Sequence, residues 1–398
     1  MNAPLPLSYP PHPGLARLAA FGAAPRFDRP KPTSNLVQPD TERFKFHWSR
    51  IGQPGVDLVT ELELRLAELH GVAHCVTANS GFWMLALLMD AVRLHGHSEV
   101  IMPSLTYRRM ADIVSWLGLV PHFCDIEPQT LANSARTVQS CLGPESALII
   151  GVHPVGGHCD IGGLQDISQT SGVPLIFDSV ESVHELHAGR RIGAFGRAEL
   201  FSLGASKLVN GFEGGYVTTN DADLATLLRQ HSRGQGAGRI LDVPLPAVHA
   251  AMALAGLDDL PEQLVRNRRR FECYREGLSR LTGLRLVVPD AANESSHKNI
   301  VVEVQSAWPL DRDTTVELLN AENILTRAYY HPPLTHRPIA YPHHAGQLSH
   351  TDWAASRFIS MPCGHQVSIE NIACIVEVLD RLQALAPAIL QARAERTT

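Results

Sequence analysis

The stretch Phe201-Ser202-Leu203-Gly204-Ala205-Ser206-Lys207 decides how this chain of 398 residues is interpreted, because it ends a short apolar strand in a small-residue turn that carries a lysine. A Glu213-Gly214-Gly215 break and a second strand pattern, Tyr216–Thr219, come after the turn. A lysine that tight backbone holds in a dry pocket loses its charge more easily and can attack a carbonyl carbon. The stretch therefore predicts a nucleophilic lysine between two strands of a sheet, although most lysines lie in surface loops.

A second segment upstream, Val173-Pro174-Leu175-Ile176-Phe177-Asp178, is an apolar strand pattern that ends on a carboxylate. Ligands of doubly wound sheets bind at the carboxyl ends of the strands. A lysine and an aspartate in such positions are the pair that pyridoxal 5'-phosphate (PLP) requires, one as Schiff-base partner and one as partner of the pyridine nitrogen. The two segments thus predict PLP as the cofactor and Lys207 and Asp178 as catalytic residues. A helix N-cap is an equally open explanation of Asp178 on its own segment.

The composition is that of an ordinary globular enzyme, with 44% hydrophobic residues, 19% charged residues and a formal net charge of −6. The sequence lacks a run of basic residues that would indicate nucleic-acid binding. No apolar stretch approaches the length of a membrane span. The seven cysteines are scattered without a CxxC pair, which favours free thiols in a reducing cytoplasm over disulfides or zinc. The N-terminal 32 residues lack the pattern of a signal peptide. We therefore expect a cytoplasmic enzyme without a metal, nucleic-acid or membrane partner.

Three regions follow from the patterns along the chain. Residues 1–50 predict an extended N-terminal arm, because prolines interrupt its start at Pro4, Pro6, Pro10, Pro11 and Pro13. Residues 51–285 alternate strand and helix patterns, which predicts a large PLP-binding α/β domain with a mostly parallel, seven-stranded sheet. Residues 286–398 predict a small α+β C-terminal domain with a strand at Ile300–Val304 and a terminal helix from Ile369. The seven predicted strands are Cys75–Thr77, Val100–Pro103, Val120–Asp125, Ala147–His153, Leu175–Asp178, Glu199–Leu203 and Tyr216–Thr219.

Other short segments supply candidate contacts to the cofactor. Ser80 and Gly81 open a helix after a strand pattern, where exposed backbone N–H groups bind phosphate; taken alone, an ordinary N-cap is the commoner explanation. Tyr107 follows another strand and would stack on a flat ring, although core packing is commoner for a single tyrosine. Ser202, five residues before Lys207, would accompany the phosphate.

The order of these segments along the chain is more specific than any one of them. From about Trp48 to Leu382 the chain resembles the DegT/DnrJ/EryC1/StrS family of PLP-dependent sugar aminotransferases, which share fold type I with aspartate aminotransferase. The segments that carry the resemblance are Pro103-Ser104-x-Thr106-Tyr107, Val152-His153-Pro154-Val155-Gly156, Asp178-x-x-Glu181-Ser182, Phe201-Ser202-x-x-x-x-Lys207, Glu213-Gly214-Gly215 and Tyr329-Tyr330-His331-Pro332.

The resemblance implies a role for each matching residue. Lys207 would hold PLP as a Schiff base and, once freed by the amine donor, would move the proton. Asp178 would pair with the pyridine nitrogen, and Glu181 would lie beside the cofactor hydroxyl. The remaining contacts would be Tyr107 on the ring and Ser80, Gly81 and Ser202 on the phosphate. The family also implies a homodimer with its active site at the subunit interface, and a role in the biosynthesis of an amino sugar or related secondary metabolite.

Two departures from the family pattern leave the keto acceptor open. Phe82 stands where the family has threonine, and the stretch Gly238–Pro246 replaces an Asn-Tyr-Arg segment whose asparagine reaches the partner's phosphate. A ketone other than a nucleotide-linked 4-keto sugar is therefore also a candidate acceptor. A PLP enzyme of the same fold that dehydrates or decarboxylates, or a non-catalytic regulatory protein on this scaffold, would also be compatible with the fold. Lys207 argues against the dehydrating branch, where a histidine replaces it, and Lys207 with Asp178 argues against a non-catalytic role.

Overall fold

The structure is a computed structural model that describes residues 12–33, 40–235, 241–289 and 294–397. Its α-helices are α1 (Thr41–Ser49), α2 (Leu58–His70), α3 (Gly81–Val92), α4 (Met110–Trp116), α5 (Ala135–Gln139), α6 (Ile161–Ser171), α7 (Ala222–Ser232), α8 (Ala247–Asp258), α9 (Leu260–Leu278), α10 (Arg312–Ala321), α11 (Ser349–Ala355) and α12 (Ile369–Thr397). Its strands are β1 (His74–Ala78), β2 (Glu99–Pro103), β3 (Val120–Cys124), β4 (Ser146–Val152), β5 (Leu175–Asp178), β6 (Leu186–His187), β7 (Arg190–Arg191), β8 (Ala198–Ser202), β9 (Gly215–Thr219), β10 (Leu284–Leu286), β11 (Ile300–Val304), β12 (Arg327–Ala328), β13 (His344–Ala345) and β14 (Phe358–Met361).

The large sheet has the order β1-β9-β8-β5-β4-β2-β3-β13 within the described residues. β9 pairs antiparallel with β1 and β8, whereas the other neighbours pair in parallel. The seven predicted strands are all present, so the mainly parallel α/β fold is confirmed. The eighth strand, β13, was not predicted because it contributes only two exposed residues from the C-terminal region.

Burial on both faces explains why the central strands are apolar along their whole length. All seven residues of β4 are buried, as expected for a parallel strand covered by helices on each side. One hydrophobic core contains residues of α2, α6 and α8, and the other contains residues of α3, α4 and α7. Helices therefore cover both faces of the sheet. Because β2, β5 and β8 run in the same direction, the turns at their carboxyl ends lie along one edge of the sheet.

A smaller antiparallel sheet has the order β10-β11-β14-β12. β11 and the start of α12 agree with the strand and the terminal helix predicted from sequence. The core beneath this sheet also receives Phe271, Tyr274 and Leu278 from α9, which the sequence pattern had assigned to the large domain. Helix α9 begins after Asp259 and has a proline in its first turn, where proline is tolerated.

The described part of the predicted N-terminal arm folds back onto its own chain instead of extending. Leu15 and Leu18 are buried in the core of the smaller sheet, because two short 3-10 turns at Leu15–Arg17 and Ala19–Phe21 direct them inward. Helix α1 follows, and the Asp40 side chain caps it by accepting two backbone N–H groups. The prolines at 4, 6, 10 and 11 lie outside the described residues. No helix in the described part of the chain is both long and apolar enough to cross a membrane.

Candidate active site

Lys207 lies in the turn that follows β8, as the sequence predicts. The turn is tight, because the backbone N–H of Lys207 donates to the Gly204 carbonyl at 2.9 Å. Its side chain is 19% exposed, and its Nζ donates to Glu181 Oε1 at 2.5 Å. Glu181 comes three residues after the end of β5, the strand that pairs with β8. The pairing of these two strands therefore brings the lysine and the carboxylate together.

Glu181 has two further partners, which come from the residues just before β11. Lys298 Nζ donates to Glu181 Oε2 at 2.7 Å, and Asn299 Nδ2 donates to the same oxygen at 3.0 Å. Sequence reasoning missed both residues. The sequence signal for Lys298 was weak: it is one of four lysines and lies two residues before an apolar strand.

Asp178 ends β5 beneath this cluster and is 7% exposed. Its Oδ1 accepts the Val180 backbone N–H at 3.2 Å, and turns rather than a helix follow it in the described chain, which excludes the N-cap explanation. Burial raises the pKa of Asp178 to about 6, against the favourable charge of Lys207. Burial also acts to raise the pKa of Glu181, but the ammonium groups of Lys207 and Lys298 outweigh it and hold that pKa well below its usual range.

The start of α3 lies against the last residue of β8 and the first residue of β9. Ser80 Oγ caps the helix by accepting the Phe82 N–H at 3.2 Å. A Cβ on Gly81 would lie 3.4 Å from Ser202 Oγ, and a Cβ on Gly215 would lie 2.4 Å from Gly81 Cα. The three predicted phosphate contacts are thus neighbours around a helix N-terminus, where backbone N–H groups favour an anion.

Two tyrosines flank the site differently. Tyr107 follows β2 and is 41% exposed, and no described contact joins it to Asp178 or Lys207, so its ring-stacking role stays a prediction. Tyr330 is closer to the carboxylates: burial raises the pKa of its hydroxyl, and so do the charges of Glu181 and Asp178. Its φ of 40° is unusual for a bulky residue, and such backbone strain clusters at functional sites. Sequence reasoning had noted Tyr330 only as part of a family segment.

These residues fit PLP. The site offers a lysine amine, a buried carboxyl group with an elevated pKa, and a glycine-walled helix N-terminus for the phosphate. Asn79 Oδ1, one residue before the helix cap, is buried and has no hydrogen-bond partner among the described residues. A buried polar atom without a partner is costly, which is expected where a bound group completes the site.

The fold and this site define a class, the PLP-dependent enzymes of fold type I. A profile of the DegT/DnrJ/EryC1/StrS aminotransferase family matches residues 49–380, and the chain belongs to that family. GDP-perosamine synthase of Caulobacter vibrioides is 30% identical over 331 residues, which are 80% of this chain and 86% of that protein.

Solved structures agree with this assignment. The structure of DesI in the presence of its TDP-sugar product has a TM-score of 0.88 and 34% identity, covering 96% of this chain and 99% of DesI. The aminotransferase TlmJ from Streptoalloteichus hindustanus has a TM-score of 0.81 and 26% identity, covering 89% of this chain and 100% of TlmJ. The predicted family, fold type, cofactor and class of enzyme are therefore confirmed: the chain is a PLP-dependent aminotransferase.

Proposed function

We propose that this enzyme transfers an amino group from an amino-acid donor to the keto carbon of a nucleotide-linked sugar. One observation carries the proposal: Lys207 and Glu181 are in contact at the carboxyl ends of β8 and β5, beside the buried Asp178. The names of GDP-perosamine synthase and of DesI with its TDP-sugar product support a nucleotide-linked sugar.

Each residue has a task in this reaction. Bound PLP supplies an electron sink. Asp178, a buried carboxyl group at the end of β5 whose pKa burial raises to about 6, would pair with the ring nitrogen and keep it protonated. Lys207 Nζ would hold the cofactor and, once an amine donor displaces it, would accept the proton of the substrate carbon and return it. In the structure, Glu181 Oε1 accepts a hydrogen bond from Lys207 Nζ.

A cavity of about 440 Å³, lined by residues that follow Tyr107 and Tyr330 closely in the chain, supports a bulky acceptor, because ligand sites commonly have volumes of this order. Two arginines line it, and no ion pair joins Arg108 or Arg337 to a carboxylate in the described chain. Arg337 Nε is buried without a hydrogen-bond partner. Guanidinium groups bind phosphate oxygens in a bidentate way, so we assign this cavity to the diphosphate of the acceptor. Its lining residues are Arg108, Asp112, Pro332, Leu334, Arg337, Pro338, Ile339 and Tyr341.

The position of the Phe82 ring gives little support to the hypothesis that the acceptor is a small apolar ketone. It packs edge-on against Trp83 with ring centroids 4.9 Å apart and joins the apolar side chains of α3 and its neighbours. This packing is the ordinary fate of a phenylalanine at the start of a buried helix. Gly238 and its two following residues, the other departure from the family pattern, lie outside the described residues.

We also propose a cytoplasmic homodimer. Phe46, Trp48 and Phe212 expose between half and three fifths of their surface, at 59%, 52% and 50%, and we propose that the second subunit covers them. All seven cysteines are free in the described structure, which suits a reducing compartment.

The test is incubation of the PLP-loaded enzyme with GDP-linked and TDP-linked keto sugars and an amino-acid donor, followed by mass spectrometry. Incorporation of nitrogen from the ¹⁵N-labelled donor into the sugar supports the proposal. Loss of water from the sugar without nitrogen incorporation would replace transamination by dehydration. Arg337→Met is expected to weaken the apparent affinity for the nucleotide sugar by about 10- to 100-fold, the range for a charged hydrogen bond.

A further inference from the structure

Glu181 accepts hydrogen bonds from two of the four lysines in the chain. Of four lysines, Lys45 pairs with the exposed Glu42 and Lys31 lies over the Phe27 ring. The other two, Lys207 and Lys298, both donate to Glu181, one to each oxygen. The nucleophilic amine of the site therefore shares its carboxylate with a second ammonium group that the reaction does not use.

We propose that Lys298 is a positioning residue of the transamination site, which keeps Glu181 ionised and in place whenever Lys207 leaves that carboxylate. The inference rests on the proposed function, in which the Lys207 nitrogen binds the cofactor and later moves a proton. Because Lys207 Nζ would perform those tasks, it would not remain hydrogen-bonded to Glu181 throughout the reaction. Lys298 and Asn299 both donate to Oε2, so Oε1 stays available to whichever donor replaces Lys207.

Burial makes the second lysine necessary. The Glu181 side chain is 14% exposed and that of Lys298 is 6% exposed. A buried carboxylate without a cation takes up a proton instead of remaining charged. A protonated Glu181 would no longer be an acceptor at both oxygens, and the donor at Oε1 would lose its partner. Lys298 carries a corresponding penalty, since burial lowers its own pKa against the favourable charge of Glu181.

Other charges around Glu181 do not replace Lys298. The titratable groups that face Glu181 or its partners are Asp178, Lys207, Lys298, Tyr329, Tyr330 and Cys363, and Glu185 and His297 line the same cavity as Glu181. Apart from the two lysines and His297, all of these are acids, whose ionised forms disfavour a charged Glu181. Burial lowers the pKa of His297, which favours its neutral form. Lys298 is thus the one cation among the described neighbours of Glu181 that takes no part in the chemistry.

A purely mechanical role for Lys298 is the competing explanation, because its contact with Glu181 also connects the start of β11 to the end of β5. The two explanations differ in one observable, the protonation state of Glu181. Infrared difference spectroscopy detects the carbonyl band of a protonated carboxyl group in the folded, PLP-loaded protein. This measurement needs no acceptor, so it separates failure of this inference from failure of the proposed function.

The experiment compares Lys298→Met with Lys298→Arg, which keeps the charge, and with Lys45→Met, which removes an exposed lysine. We expect Lys298→Met to show a protonated carboxyl band whose titration midpoint lies about 3 pH units above that of the wild type. The band should be absent from the Lys298→Met/Glu181→Gln double variant. Lys298→Arg and Lys45→Met should resemble the wild type. The kcat of Lys298→Met should fall by about 10²-fold.

Lys298→Gln serves as a second neutral variant in case Lys298→Met does not fold, because it retains a hydrogen-bond donor. An unchanged infrared titration in a folded neutral variant would overturn the inference. The same would follow if the new band persisted in the double variant, because it would then belong to another carboxyl group.

Discussion

The burial of Asp178 lowers the free energy of unfolding at neutral pH. Burial raises its pKa from 3.8 to about 6, and its only hydrogen bond in the described chain comes from Val180. At about 1.4 kcal/mol per pKa unit, keeping this carboxylate ionised at neutral pH costs about 3 kcal/mol. A positively charged ring nitrogen would offset that cost, so cofactor binding is expected to stabilise the ionised carboxylate.

Asp178→Asn is therefore expected to stabilise the cofactor-free protein at pH 8 by about 2 kcal/mol while slowing the reaction by orders of magnitude. An asparagine still accepts the Val180 N–H but never carries the charge. Because the folded-state pKa is raised, the stabilisation is absent below about pH 4 and grows as pH rises toward 6. Chemical denaturation at several pH values measures it, with the exposed Asp166→Asn as the control. Equal stability of Asp178→Asn and wild type at pH 8 would contradict the burial argument.

Glu181 has the opposite linkage. Because Lys207 and Lys298 hold its pKa below the ordinary value, it stabilises the fold above that ordinary value and loses this contribution as pH falls below it. We expect the stability of Glu181→Gln, relative to wild type, to be lower at pH 7 and to approach that of wild type in acid. The same denaturation series measures this difference. A constant difference across the pH range would show that the ion pairs contribute nothing measurable.

At the scale of elements, the proposed phosphate site at the start of α3 depends on glycines where α3 meets β9. A Cβ at residue 215 would lie 2.4 Å from Gly81 Cα and 3.1 Å from the Phe201 carbonyl oxygen, which are backbone atoms that cannot move aside cheaply. A Cβ at residue 81 would meet the Ser202 side chain at 3.4 Å and the Gly214 carbonyl oxygen at 3.7 Å, which are ordinary contact distances. The two glycines therefore have different reasons to lack a side chain.

Two substitutions separate these reasons. Gly215→Ala is expected to lower the free energy of unfolding by about 3 kcal/mol through overpacking. Gly81→Ala should fold normally but bind PLP about tenfold more weakly, because its methyl group enters the phosphate site. Thermal unfolding without cofactor and equilibrium dialysis with PLP give the two readouts. The prediction fails if Gly81→Ala retains wild-type PLP affinity.

The element scale also shows what sequence patterns predict well. Buried parallel strands such as β4 are continuous apolar runs, so their number, order along the chain and approximate bounds were predictable. The contacts of Lys298 and Asn299 were not, because they join Glu181 across 117 and 118 residues and leave no local periodicity. Strand β13 was not predicted, and the N-terminal turns were predicted as an extended arm, for a similar reason: their conformation depends on packing against distant parts of the chain.

At the scale of the whole molecule, Phe212 is the residue we expect to connect the site to a second subunit. It lies five residues after Lys207, has a φ of 65° and leaves half of its side chain exposed. Backbone strain at a bulky residue persists where surrounding structure holds it, and we propose that a second subunit packs on this ring. Phe212→Asp is expected to shift the protein toward monomers in sedimentation velocity, whereas Leu390→Asp on α12 should leave the association unchanged. A wild-type protein that is monomeric and fully active would reject the homodimer.

The central claim is that Lys207 is the lysine that binds PLP, and borohydride reduction of the loaded enzyme followed by peptide mapping tests it most directly. The chain makes the test sharp, because it has four lysines and the strongest competitor, Lys298, binds the same carboxylate as Lys207. Lys298 is more buried and keeps Asn299 beside it on Glu181 Oε2, whereas Lys207 lies in the turn that follows β8. We predict reduced cofactor on the peptide that contains Lys207, and none on that peptide in Lys207→Ala. Reduced cofactor on the peptide that contains Lys298, in the wild-type enzyme, would contradict this assignment.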